Sequence, residues 1–195
     1  MKKIIMMIVV MLLAVGTLSA QKLTKAEKKA AKQEKKEAKK KVKAEEKANY
    51  EIYKAKGKEM IEARDFVLIA QTISGAKTRP IAVMDNSNFV KIEGDEIVIQ
   101  FALNRPDIQG TNDMGGMTYK GTIRKLEAKD LGEGKSVNVR VDFVSPSIQG
   151  VATIYIDIMG HEVKAQLMDN GGAINFIGKY ISIEDAFLLQ GWTNN

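Results

Sequence analysis

Three glycine-containing turns constrain this chain more than any other feature, because each fixes which residues must share one face of a sheet. A two-residue turn at Gly94 and Asp95 sets Ile92 opposite Ile97 and Val90 opposite Ile99. A turn at Gly160 and His161 sets Ile158 against Val163, Ile156 against Ala165 and Ile154 against Leu167, and leaves Asp157 facing Lys164 on the other side. Asn170 and Gly171, the strongest short hairpin signal, then set Leu167 against Ile174 and Ala165 against Phe176, with Glu162 facing Lys179. Three successive strands therefore share one apolar face. A slip of one residue would turn that face into water, so pattern and register specify each other.

The alternation extends upstream. Val137, Val139, Val141 and Phe143 alternate with Asn138, Arg140 and Asp142, the pattern of an antiparallel strand with one wet face. Residues 117–126 predict another strand. Residues 65–74 are apolar on both faces and predict a strand covered on both, with the end of the preceding segment as one cover. Eight or nine strands, short turns and no crossover helix define an all-β antiparallel meander of about eight strands, closed like a barrel or folded as a sandwich. The spacing Ser182-Ile-Glu-Asp185 predicts a capped short C-terminal helix, with Phe187 and Leu188 plugging one end of the sheet and Trp192 available for the same role.

Before residue 65 the chain changes character. From Thr24 to Arg64 there is no proline and one glycine, and Ala, Lys, Glu and Gln predominate, which predicts a long charged α-helix preceding the sheet. Thr24-Lys-Ala-Glu27 has the spacing of a capping box. The first two-thirds of this helix carry no apolar stripe, whereas Tyr50, Tyr53, Gly57, Met60 and Ile61 recur on one face and predict docking onto the domain that follows. Earlier still, Lys2 and Lys3 precede twelve uninterrupted apolar residues and the small-residue exit at residues 16–20, the pattern of a secretory signal peptide cleaved near Ala20. A spanning helix needs roughly 20 apolar residues, so no transmembrane span is expected in the mature chain. The organisation predicted is residues 1–20 as signal peptide, 21–64 as a Lys/Glu/Ala-rich helical arm, and 65–195 as the β domain with its short helix. The expected location is exported, periplasmic or envelope-associated.

Charge divides along the same line. Residues 21–58 carry 15 Lys against 6 Glu, whereas residues 59–195 carry 13 Lys and Arg against 18 Asp and Glu. Dense lysine neutralises phosphates without sequence preference. An exported chain meets envelope polyanions rather than nucleic acid, so the expected partner is an anionic envelope surface, held weakly and salt-sensitively; no nucleic acid is expected. A solvated spacer is the reading favoured over specific binding, because charge runs more often solubilise than recognise. Insertion as an amphipathic membrane helix is disfavoured, because the apolar face is missing where the lysines are densest.

The order of features resembles a secreted Bacteroidetes family known as domain of unknown function 4251. The likeness rests on the leader, the Lys/Glu/Ala-rich helix, the opening strand ARDFVLIAQ at residues 63–71, the Gly-rich loop GTNDMGGMTYKGT at residues 110–122, and the ending GKYISIEDAF at residues 178–187. It covers most of the mature chain. It implies an exported β domain of unassigned activity and supplies no catalytic residues.

The chemistry visible in the residues is sparse. There is no cysteine, which removes a lipid-modified first residue, disulfides and thiol chemistry. One histidine, His161 in a predicted turn, makes neither a catalytic triad nor a standard zinc site. Calcium would need oxygen ligands, for which Asp107 and the Asn112-Asp113 pair are the place to look, at a spacing that fits no EF-hand. Glu93, Asp95 and Glu96 form an acidic hairpin tip that reads as a solvated turn, with a cation or the lysine helix as its alternative partners. No phosphate loop or nucleotide fingerprint is present, and no cofactor is expected.

The function predicted is therefore a non-enzymatic, envelope-associated binding or structural module. If the sheet closes around space, Tyr119, Ile154, Ile156, Leu167, Ile174 and Phe176 would line a pocket for a small apolar ligand; a filled core is the reading favoured over it. A different class, hydrolysis of envelope glycans, would require two inward carboxylates roughly 5 to 10 Å apart.

Overall fold

The computed structural model describes residues 25–103, 113–169 and 172–191. The predicted leader and Thr24 cap, the Asn170-Gly171 turn itself and Trp192 lie outside these residues. The chain divides between Glu45 and Glu46 into two units. In the first, helix α1 (Lys25–Ala63) is exposed on every side from residue 29 to residue 45, as a helix without an apolar stripe must be. The second contains the last turns of α1 and nine strands: β1 (Asp65–Gly75), β2 (Ile81–Ala82), β3 (Phe89–Glu93), β4 (Glu96–Ala102), β5 (Gly116–Asp130), β6 (Val137–Ser145), β7 (Ile148–Met159), β8 (Glu162–Asp169) and β9 (Gly172–Ile181).

From β3 to β9 each strand pairs antiparallel with the next, and β1 pairs with both β3 and β9. Eight strands thus close on themselves, and the two-residue β2 adds to β1 at Thr72 and Ile73, beyond the point where β3 begins. The architecture is a closed barrel rather than a sandwich. The turn-derived registers hold throughout: Ile92 faces Ile97, Ile156 faces Ala165, Asp157 faces Lys164, Ala165 faces Phe176, and Glu162 faces Lys179. Closure needs a bend in the last seam, and β1 supplies it with a bulge between Ala70 and Thr72 opposite Gly178 and Ile177.

The inward residues form one cluster in which Phe66, Leu68, Ile92, Ile99, Phe143, Ile154 and Ile156 are all buried. The end of α1 joins this cluster, so the predicted cover of β1 lies on its inward side. Met60 and Ile61 enter it beside Phe66 because the chain reverses sharply at Arg64, whose φ of 56° and amide bond to the Ile61 carbonyl (3.1 Å) end the helix in a left-handed residue. The helix is therefore a plug at one end of the barrel.

The outer face of β1 is covered by the C-terminal segment. Val67, Phe89 and Val98 form a second cluster there, packed by Ile69, Ile181, Ile183, Ala186 and Leu188. The predicted C-terminal helix is absent. Ser182 and Asp185 do bond as in a cap, the hydroxyl donating to Asp185 Oδ2 at 2.7 Å and accepting the Asp185 amide at 3.3 Å, but they close a single turn. The chain then runs as a strap, because the Leu189 amide is engaged by the Asn86 carbonyl (2.8 Å) and Gln100 binds the Leu189 carbonyl (2.7 Å) and the Gly191 amide (2.8 Å). Neither Phe187 nor Leu188 plugs the barrel: Phe187 is 75% exposed and Leu188 packs on the outer cluster.

Candidate functional site

The two ends of the barrel are built differently. At the end where β1 finishes and β9 starts, Gly75, Ala76, Lys77, Phe101, Met117, Tyr119, Gly172, Ala173 and Ile174 surround a cleft of about 670 Å³. Phe101, Met117 and Ile174 are half-buried around it, and the Tyr119 hydroxyl donates to Met117 Sδ at 3.3 Å. Among the described residues, Lys77 is the one charged residue in its lining. Of the six residues proposed for a pocket, Tyr119 and Ile174 lie at this mouth. Ile154, Ile156, Leu167 and Phe176 lie deeper, each no more than 1% exposed and packed in the core cluster.

At the other end, a buried cation fixes the helical plug. Lys54, only 4% exposed, donates from Nζ to Glu51 Oε2 (2.8 Å), Asp130 Oδ1 (3.3 Å) and the Gly132 carbonyl (2.9 Å), so all three of its donors are used. Glu51 in turn accepts the Gly134 amide at 2.5 Å, and Asp130 the Gly132 amide at 2.8 Å. The hydrogen bond from Lys54 is the main cause holding the Glu51 carboxyl below its ordinary range, and the Gly132 amide is the main cause for Asp130. Lys54 is correspondingly raised, first by its bond to Glu51. Periodicity alone gave no hint of Lys54, since a lysine among lysines reads as solvated.

Beside this anchor, a second cleft of about 440 Å³ lies between α1 and the β8–β9 hairpin, lined by Tyr53, Lys56, His161, Lys179, Tyr180 and Ile181. Tyr180 stacks on Phe66 at 5.9 Å between ring centroids and donates its hydroxyl to the Tyr53 carbonyl; burial pushes its ionisation up to about 12. His161 is exposed in the Gly160 turn, its ring meeting Tyr53 edge to face at 6.0 Å and 69°.

Other candidates are dispersed. The acidic tip is divided among three cations, with Glu93 bound by Lys91 (2.8 Å), Asp95 by Arg64, and Glu96 by Lys120 (3.1 Å), so its carboxylates do not converge. Asp107 and Asn112 lie outside the described residues, and Asp113 sits at a left-handed φ of 59°. Among the described residues no three metal-ligating side chains cluster, and no carboxylate is buried. The glycan-hydrolase reading therefore has no inward pair to build on.

A closed antiparallel barrel of eight strands, plugged by a helix at one end and carrying at the other a cleft that Phe101, Met117 and Ile174 line, defines the class. The particular family follows from the sequence: the model of domain of unknown function DUF4251 matches residues 45–180, and the chain belongs to that family. The fold is similar to the crystal structure of a DUF4251 family protein from Bacteroides eggerthii DSM 20697, with a TM-score of 0.57 and 19% identity over 72% of this chain and 94% of that one. No curated protein matches the chain.

Proposed function

We propose that the chain is an exported binding module of the cell envelope, taking a small apolar group at the open mouth of the barrel and held near anionic surfaces by the lysine-rich part of α1. The mouth carries this reading: Phe101, Met117 and Ile174 are held half-buried above a filled interior, so an apolar group can be desolvated there without displacing the core. Export rests on the leader pattern of residues 1–20, and surface attachment on the excess of lysine in residues 21–58.

Calorimetric titration with dodecanoate, an unbranched chain whose carboxylate can reach Lys77, tests the mouth. Saturable binding with one site per chain is expected, weakened about tenfold or more by Ile174→Glu, which places a charge in the apolar lining. The variant should keep a single cooperative melting transition, lowered by a few degrees, because Ile174 packs at the edge of the core cluster and is not fully buried in it. Binding that fails to saturate, or that Ile174→Glu leaves unchanged, would remove the mouth as a ligand site.

A further inference from the structure

Around the plugged end, basic residues are matched to carboxylates one by one: Lys47 to Glu133, Lys54 to Glu51 and Asp130, Lys58 to Glu62, Arg64 to Asp95, and Lys164 to Glu162. Four lysines of this end have no ion pair among the described residues: Lys129 and Lys135 at the β5–β6 turn, and Lys56 and Lys179. Of these, Lys56 and Lys179 face one space, the 440 Å³ cleft between α1 and the β8–β9 hairpin. The acid opposite Lys179 in the β8–β9 ladder is Glu162, whose Oε1 is directed to Lys164 at 3.6 Å. Among the described residues, the cleft thus holds two ammonium groups without a counter-ion.

Its walls are held in place. Tyr180, buried, ties its hydroxyl to the Tyr53 carbonyl, and the Tyr53 ring is met by the edge of His161. Gly57, one turn beyond Tyr53, brings α1 so close that a Cβ there would lie 2.8 Å from Ile158 and 3.1 Å from the Tyr180 ring, so the helix cannot slide without a clash. Flat, half-apolar tyrosine and histidine rings accept the face of a saccharide or other ring. Lysine ammonium groups are point-charge partners for phosphate oxygens. The volume lies within the range of ordinary small-molecule sites, about 300–1,000 Å³.

We propose that Tyr53, Lys56, His161 and Lys179 form a binding subsite for a phosphate group carried on a ring, as in a sugar phosphate or a cyclic lipid headgroup. The subsite is at the opposite end of the barrel from the mouth and does not depend on it. Phosphate engages Lys56 from the helix and Lys179 from β9, so ligand bridges the plug to the sheet, while the ring rests against Tyr53 and His161.

His161 is the only histidine in the chain, so its Hε1 gives one NMR signal that reports on this cleft and not on the lysine-rich arm. Glucose 6-phosphate added to the chain from Gln21 is expected to move that signal saturably, and glucose to leave it in place. The double variant Lys56→Gln/Lys179→Gln should weaken the effect about tenfold or more, measured from the variant's own unliganded position, while keeping the melting temperature, since both side chains are exposed. Vesicles bearing phosphatidylinositol 4-phosphate separate the two sources: a change with vesicles alone, lost in the double variant, assigns the headgroup. No saturable change with either probe, or one equal in the double variant, would overturn the subsite.

Discussion

A Cβ on Gly178 would lie 1.8 Å from the carbonyl oxygen of Ile69 and 2.9 Å from Cα of Ala70, so the seam between β9 and β1 closes only around a residue that has none. The atoms in the way are backbone, which cannot rotate aside. Gly178→Ala is expected to cost roughly 3 kcal/mol or more, at or beyond the upper end of ordinary overpacking, read as a fall in the urea midpoint. Gly75→Ala, on the same seam, meets nothing nearer than the Thr78 hydroxyl at 3.4 Å and should change the midpoint little. Such positions were only partly legible. Alternation identified Ile156 and Leu167 as inward because apolar residues repeat with the pleat, whereas Lys54 and Gln100 are buried polar groups that periodicity assigns to water. Gln100 is paid for by four hydrogen bonds, to the Ser87 and Leu189 carbonyls and from the Thr118 hydroxyl and Gly191 amide, and those partners are far apart in sequence.

The strands were legible as elements because turn chemistry and alternation are local and agree. The C-terminal strap was not, because the Ser182–Asp185 spacing is shared by a helix cap and a single turn, and the choice was made by distant partners, Asn86 in the turn before β3 and Gln100 on β4. The docking of α1 lies between these cases: Gly57, Met60 and Ile61 showed its face, but Lys54 decides how it is held. Because Glu51 and Asp130 are held below their ordinary values of 4.5 and 3.8, the folded state binds protons less readily than the unfolded state there. Their stabilising contribution is complete above those values and is lost as pH falls through the lower folded ones. Lys54, raised above 10.5, contributes below that value and loses its contribution as pH rises through the higher folded one. Lys54→Met should lower the melting temperature by roughly 3–6 °C at pH 7. It should also flatten the decline in melting temperature on the acid side, since the first cause of the Glu51 shift is gone. An acid limb as steep in the variant as in the parent would show that the anchor does not operate through this charge.

At the scale of the whole molecule, the barrel and the exposed part of α1 have different requirements, and two truncations separate them. Residues 29–45 bury nothing, so a chain beginning at Glu46 should keep the urea midpoint of the longer chain. The same truncation removes most of the lysine excess and should abolish salt-sensitive retention on phosphatidylglycerol vesicles; retention that survived would reduce the arm to a spacer. A chain beginning at Asp65 is a different object. It lacks Met60 and Ile61, which are 8% and 0% exposed inside the barrel cluster, and it lacks the Lys54 anchor. Burying two such side chains stabilises by about 1.5–3 kcal/mol each, so their loss takes roughly 3–6 kcal/mol from a total that for domains of this kind is about 5–15 kcal/mol. The shorter chain should therefore unfold at a much lower urea concentration and bind an environment-sensitive apolar dye at its open end. An unchanged midpoint for the chain from Asp65 would mean that the eight strands close without their plug. The family match, which begins at residue 45, fits a folding unit that includes these helical turns.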